Sequence, residues 1–153
     1  MLAVRWQREP MSGAGAALNG ARWNRRGVPA LYLSVDHGTA IAEFHQALLR
    51  PGTLAAYDIR SERIVDLTDA GRRASFGIPD AVLFAPRKTI VEIEHRDAPG
   101  WIIADRLIAG EADGILVPSA ACAGVNLVLW RWSADGGDGA AVRLIDPDGD
   151  LRR

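Results

Sequence analysis

Gly20-Ala21-Arg22-Trp23-Asn24, Arg25-Arg26-Gly27-Val28-Pro29-Ala30, Leu31-Tyr32-Leu33-Ser34 and Val35-Asp36-His37-Gly38-Thr39-Ala40-Ile41-Ala42-Glu43-Phe44-His45-Gln46 follow one another as a single run, and its reading decides the rest of the chain. Residues 19–29 hold two glycines, one proline and three arginines, which predicts an irregular polar loop. Residues 30–34 alternate, so Tyr32 faces away from Leu31 and Leu33, as in a short strand. Asp36 stands where a helix N-cap belongs. Beyond it Ala40, Ile41, Phe44, Ala47 and Leu48 fall on one face at helical spacing, and Arg50-Pro51-Gly52 ends the helix. Glu43 lies about 60° round the wheel from Ala40, at the edge of that face. Loop, strand and helix each carry one residue that folding alone does not require: Arg22, Tyr32 and Glu43. A cation, a phenol and a carboxylate so placed suit an anionic ligand with a reactive sugar.

Working outward, residues 2–6 read as a first strand and 11–17 as a Gly-rich loop. Residues 53–59 and 63–67 read as two strands joined by Arg60-Ser61-Glu62, and 68–74 as a short helix. Residues 76–87 carry Gly77, Pro79 and Pro86 and have no clear period, while 88–95 fit either strand or helix. Pro99–Ala109 has helical spacing with Gly110 as its stop. Residues 114–117, 125–132 and 142–145 read as strands, separated by a small-residue loop at 118–124 and a turn at 133–139. Strand alternation would put Trp130 and Trp132 on one face, in the core. The pattern predicts an α+β fold of one domain spanning 1–153, with a core of about 2–146 and a loose tail at 147–153. Most strands should be antiparallel, because few are separated by a full crossover helix.

The 153-residue length suits a single domain with a real core and one cleft. Hydrophobic residues at 48% against 24% charged fit a globular chain, not a disordered one. A net charge of -1 gives no field for non-specific polyanion binding, so no direct nucleic-acid role is expected. Cys122 is the only cysteine, which rules out an internal disulfide and a Cys-based metal site. His37, His45 and His95 have no metal-ligand spacing, and no metal is expected. No signal-like or membrane-spanning run is visible, so a soluble cytoplasmic protein is expected. Rossmann, P-loop and G-x-S-x-G signatures are absent.

Ser119, after Pro118 and before a run of small residues, would let a ligand approach the backbone closely. Asn126 opens the next strand. Each of these residues also has an ordinary reading: solvated loop arginines at 22, 25 and 26, a half-buried strand tyrosine, an exposed helix carboxylate, a turn serine and a strand-capping asparagine.

Gly20-x-Arg22-Trp23-Asn24, Tyr32-x-Ser34, Ala42-Glu43, Pro118-Ser119 and Asn126 together resemble the RES-domain family, over Trp6 to about Asp146. The resemblance implies an ADP-ribosyltransferase-like fold, with a split antiparallel β core flanked by helices. It implies a toxin of a type II toxin–antitoxin pair that breaks the nicotinamide–ribose bond of NAD+, used as substrate. Arg22 would bind the pyrophosphate or adjoining ribose, and Tyr32 would orient the nicotinamide ribose. Glu43 would hold that ribose and stabilise the oxocarbenium-like transition state. Ser119 would bond a phosphate or ribose oxygen, with Ser34 and Asn126 among the NAD+-binding residues. The implied partner is an Xre-like helix-turn-helix antitoxin, forming a hetero-oligomer and inserting a segment into the cleft.

Two departures bear on the acceptor. Leu127-Val128-Leu129-Trp130-Arg131-Trp132 lacks the Asn-Pro continuation expected of many members, and the stretch between Leu67 and Trp101 is short. A more open site favours a protein acceptor, hence mono-ADP-ribosylation, over an NAD+ glycohydrolase or phosphorylase. Two other classes remain: a non-catalytic module acting through its partner, and an RNA 2′-phosphate transferase, which needs a stronger basic face.

Overall fold

The computed structural model describes residues 1–46 and 51–152. The elements are β1 (Leu2–Ala3), α1 (Ala14–Asn19), β2 (Leu31–Ser34), α2 (His37–Phe44), β3 (Gly52–Thr53), β4 (Ala56–Arg60) and β5 (Ile64–Asp66), then α3 (Ala70–Ser75), α4 (Pro99–Ala109), β6 (Gly114–Pro118), β7 (Val125–Leu129), β8 (Trp132–Ser133) and β9 (Ala140–Ile145). They form one α+β domain built on a four-stranded sheet in the order β2-β7-β6-β5, a three-stranded sheet β4-β9-β8 and a small β1-β3 pair. The pairings are antiparallel except β5–β6 and β8–β9, which are parallel.

The period-two rule explains where the core divides. On β7, Leu127 and Leu129 pack with Leu31, Ala140 and Val142, between the two larger sheets. Val128 points the other way and joins Ile115, Val117, Trp23 and the buried face of α4 (Ile103, Ala104, Leu107). Tyr32 and Ser34 of β2 and Asn126 of β7 share the Val128 face, because Tyr32 lies opposite Val128 and Ser34 opposite Asn126 in the register. The face that packs on α4 at one end therefore presents polar side chains at the other.

α2 begins as predicted. Asp36 accepts from the Thr39 backbone N–H (2.8 Å) and from Thr39 Oγ1 (2.6 Å), which holds the Asp36 carboxyl below its usual range. Ala40 is buried, yet Ile41 is exposed, so the apolar face is narrower than the wheel predicts. Ala47, Leu48 and the expected stop at Arg50 lie outside the described residues. α4 begins with Pro99 at its first turn and ends at Gly110, as read from the sequence.

Several expectations are corrected. Within 11–17, residues from Ala14 onward form α1, whose carbonyls are tied down by side-chain and loop donors: Asn24 Nδ2 to Ala16 O (3.0 Å) and Gly27 N to Ala17 O (2.8 Å). The first strand stops at Ala3 and continues as a 3-10 turn, Val4–Trp6. β4 and β5 are not partners: β4 pairs with β9 and β5 with β6. Residues Thr89–Ile93 form a π turn. Trp130 and Trp132 occupy different cores, because β7 ends at Leu129 and the chain crosses to the second sheet before Trp132. Asp146 caps the tail by accepting from Asp150 N (3.0 Å) and Leu151 N (3.1 Å), giving a 3-10 turn there. No helix among the described residues is long and apolar enough to cross a membrane.

Candidate active site

The loop that carries Arg22 is held by indoles and one buried amide. Trp101 Nε1 of α4 donates to Ala21 O (2.7 Å), and Trp130 Nε1 donates to Trp23 O (2.8 Å). Asn24 donates to Ala16 O (3.0 Å), Arg25 O (3.1 Å) and Val28 O (2.8 Å). These bonds satisfy covered or partly covered carbonyls that no regular ladder reaches, and so fix the path of the irregular backbone. Arg25 is structural: its guanidinium bonds Asp97 and Asp105 and lies over the Trp101 ring. Arg26 is exposed, as the solvated reading expects. Arg22 turns inward, and its Nη1 donates to Leu83 O (3.0 Å).

Tyr32 links the loop to the sheet. Its hydroxyl accepts from Trp23 N (3.0 Å) and donates to Asn24 Oδ1 (2.9 Å). The residue as a whole is 38% exposed, but its hydroxyl points into the loop against Trp23 and Asn24, both buried, and desolvation there pushes its pKa up, opposed by the Trp23 N–H and the charges of Arg22 and Arg87. The phenol stays protonated and does not act as an acid or base near neutrality. The native state thus keeps a proton that the unfolded chain releases, so stability falls as pH rises above about 10. Burial also pushes Tyr57 up, to about 12. Tyr32→Phe is expected to lose about 1–3 kcal/mol at pH 7, because Trp23 N and Asn24 Oδ1 lose their partner. It should also flatten the alkaline fall in stability, leaving the part due to Tyr57. Urea unfolding of both proteins from pH 7 to 11 checks this; an unchanged alkaline slope would refute the assignment.

Glu43 sits at the centre of a hydrogen-bond set. Its Oε1 accepts from Ser119 Oγ (2.6 Å), Asn126 Nδ2 (2.6 Å) and Ala120 N (3.3 Å). Its Oε2 accepts from Gln46 Nε2, on an exposed side chain. Ser119 is buried, and its Oγ accepts from Ala121 N (3.0 Å) and Cys122 N (3.3 Å), which leaves its proton for Glu43. Asn126 is oriented in turn by Ser34 Oγ, which donates to its Oδ1 (2.8 Å). The loop carrying Ser119 packs on α2 at Gly124, where a Cβ would lie 1.9 Å from Thr39 Oγ1. This apposition brings the loop over the first turn of α2 and Ser119 onto Glu43.

A cleft of about 520 Å³ opens between these parts. Arg22, Tyr32, Glu43 and Asn126 line it together, with Trp23, Gln46, Arg87 and Lys88. Among the described residues Glu43 is the only carboxylate in the lining, which also holds three cations, Arg22, Arg87 and Lys88. Ser34 and Ser119 stand behind that lining and act on Asn126 and Glu43. A second cavity of about 400 Å³ lies beside β2, walled by Trp6, Leu31, Leu33 and Tyr57, with no Arg or Lys in its lining. The pairing of anion and cations marks the first cleft as the candidate site. No group of three His, Cys, Asp or Glu side chains converges among the described residues.

A family model described as the RES domain matches residues 2–153. The chain belongs to the RES-domain family. Its fold is similar to that of the MbcT toxin in the M. tuberculosis MbcT-MbcA toxin–antitoxin complex, with a TM-score of 0.63 and 22% identity over 91% of this chain and 76% of the other. At that identity the likeness is one of fold. No curated protein matches the chain.

The RES-domain motif residues expected from the sequence thus meet in one place, but in two tiers. Arg22, Tyr32, Glu43 and Asn126 reach the cleft; Ser34 and Ser119 hold those that do. Sequence reasoning missed Arg87 and Lys88, which complete the cationic wall of this RES domain. The available signal was an adjacent cation pair, including the only lysine, directly after Pro86 in a stretch without periodicity.

Proposed function

We propose that this RES domain is the toxin of a toxin–antitoxin pair that cleaves the nicotinamide–ribose bond of NAD+ and transfers ADP-ribose to a protein side chain. The observation that carries the reading is a single carboxylate, fixed by three donors on one oxygen, facing a cationic wall across one cleft. The C1′–N bond breaks and its electron pair leaves with neutral nicotinamide. Positive charge grows on C1′ and the ring oxygen. Glu43, held beside that position, stabilises the charge without having to reorganise. Its Oε2 can exchange Gln46 for a ribose hydroxyl. Arg22 meets the phosphates, and the Tyr32 ring edge packs on the ribose end. The acceptor then attacks C1′ and gives its proton to water or to Glu43.

The partner is an antitoxin with an Xre-like helix-turn-helix domain that places a segment in the cleft. The fold likeness to a toxin solved with its antitoxin supports an antitoxin partner. The reading has the protein act in the cytoplasm, on the NAD+ held there.

A second reading keeps the bond cleavage and ends on water or inorganic phosphate, depleting NAD+. Arg87 and Lys88 favour it, because the cleft has cations enough to hold a free phosphate. Incubation with adenylate-labelled NAD+, with and without cell lysate, separates the readings. Label on a discrete protein band establishes protein ADP-ribosylation. Nicotinamide release with only small labelled products establishes NAD+ degradation, and phosphate dependence then separates phosphorolysis from hydrolysis. No nicotinamide release from antitoxin-free protein sinks both and leaves a non-catalytic module.

A further inference from the structure

Arg87 is the side chain that the described structure leaves least explained. It is mostly covered, with 18% of its side chain exposed. Buried guanidiniums are normally matched, since five N–H donors left dry cost free energy. Arg73, a buried arginine, shows the rule: it bonds Leu67 O (2.8 Å), Thr68 O (2.8 Å) and Asp80 (2.9 Å). Among the described residues Arg87 has only Glu92, at 4.0 Å, and Glu92 is exposed. No hydrogen bond of the Arg87 side chain occurs among them, although Arg87 is one of the residues that line the cleft.

Its backbone is well fixed. Pro86 restricts the preceding residue, Arg87 N donates to Ala85 O (2.8 Å), and the π turn Thr89–Ile93 starts immediately after Lys88. The same segment is tied to the first arginine, because Leu83 O accepts from Arg22 Nη1. Arg22, Tyr32 and Arg87 line the same cleft. Arg22 spends one N–H on Leu83 and keeps the rest of its fork.

We propose that Arg87 is a second anion clamp, which with Arg22 grips two adjacent phosphates and selects a pyrophosphate-bearing substrate over a mononucleotide. The assignment rests on the NAD+-cleaving reading. Two forks matched to two phosphates give geometric selection that one fork does not. Lys88, exposed at the rim, adds charge but no fork.

The test compares wild type, Arg87→Gln and Arg87→Lys, with NAD+ and nicotinamide mononucleotide as substrates and ADP-ribose as a calorimetric ligand. Loss of a charged, covered hydrogen-bond donor predicts a KM for NAD+ raised about 10- to 100-fold, with kcat within about twofold. Arg87→Lys should fall between, as a point charge without the fork. The mononucleotide KM should change little, so discrimination between the two substrates should shrink. Equal losses on both substrates would overturn the proposal, as would a fall in kcat at constant KM, or a raised KM for added phosphate alone. ADP-ribose titration separates the two levels. Should wild type fail to cleave NAD+, the functional reading falls, and ADP-ribose binding weakened about 10-fold or more in Arg87→Gln would still support the clamp. Equal binding by wild type and Arg87→Gln would end it.

Discussion

Glu43→Gln is expected to fold normally and, on the proposed reading, to lose about 1000-fold or more of the rate of NAD+ cleavage. The argument begins with what the substitution keeps. A glutamine carbonyl oxygen at the Oε1 position still accepts from Ser119 Oγ, Asn126 Nδ2 and Ala120 N. Gln46 is exposed and free to turn its own oxygen towards the new amide, so no buried donor is orphaned. What disappears is the negative charge beside C1′, which matters only as the bond breaks. The loss should therefore appear in kcat, with KM near the wild-type value. Thermal melting should place the variant within a few degrees of wild type. A folded Glu43→Gln enzyme with full activity would remove the mechanism, and a grossly unstable one would mean that Glu43 serves the fold. In this respect Ser34, Asn126 and Ser119 act through Glu43: they set the direction of its carboxylate before any ligand arrives.

The local organisation of this site is legible because each part follows a short-range rule. The cap at Asp36, the alternation through Tyr32 and the start and stop of α4 depend on residues within a turn of one another. So does the placement of Glu43 at the edge of the α2 face. The partition of strands is not legible, because it depends on pairings across the whole chain. Residues 56–60 and 64–66 look like neighbours, yet their partners are β9 and β6, and the second pairing is parallel. The same crossing separates Trp130 from Trp132, which strand alternation would have kept together. α1 was hidden by Gly13 and Gly15, which read locally as a loop although Ala14, Ala16, Ala17 and Leu18 favour a helix; its carbonyls are held by Asn24 and Gly27 from the following loop. Arg87 was hidden for a related reason. Its segment has neither helical nor strand period, and only the three-dimensional path shows that it returns to the Arg22 wall.

Gly100→Ala should act on the fold and the site together. A Cβ at Gly100 would sit 2.4 Å from Arg22 O and 3.4 Å from Trp23 Cε3. The first contact is with backbone, which cannot rotate away as a side-chain tip can. The surroundings cannot yield easily either. Trp101 Nε1 holds Ala21 O, Trp130 Nε1 holds Trp23 O, and Trp23, Ala98 and Trp101 are all buried. Either α4 lifts from the loop or the loop moves away from α4. Overpacking of this kind costs about 1–3 kcal/mol, which is about 2–12 °C in Tm for a chain of this size. Loop movement also displaces Arg22, so on the proposed reading the KM for NAD+ should rise by about tenfold or more, since an error of ~1 Å in a positioned group is felt strongly. Gly110→Ala is the control on the same helix: its Cβ would meet Arg106 O and Leu107 O at 3.5 Å, an ordinary contact, and its φ is -83°. That variant should melt and bind like wild type. Normal melting of Gly100→Ala would refute the close packing of α4 on the arginine loop. A lowered Tm with an unchanged KM would show that the loop can yield without carrying Arg22 with it.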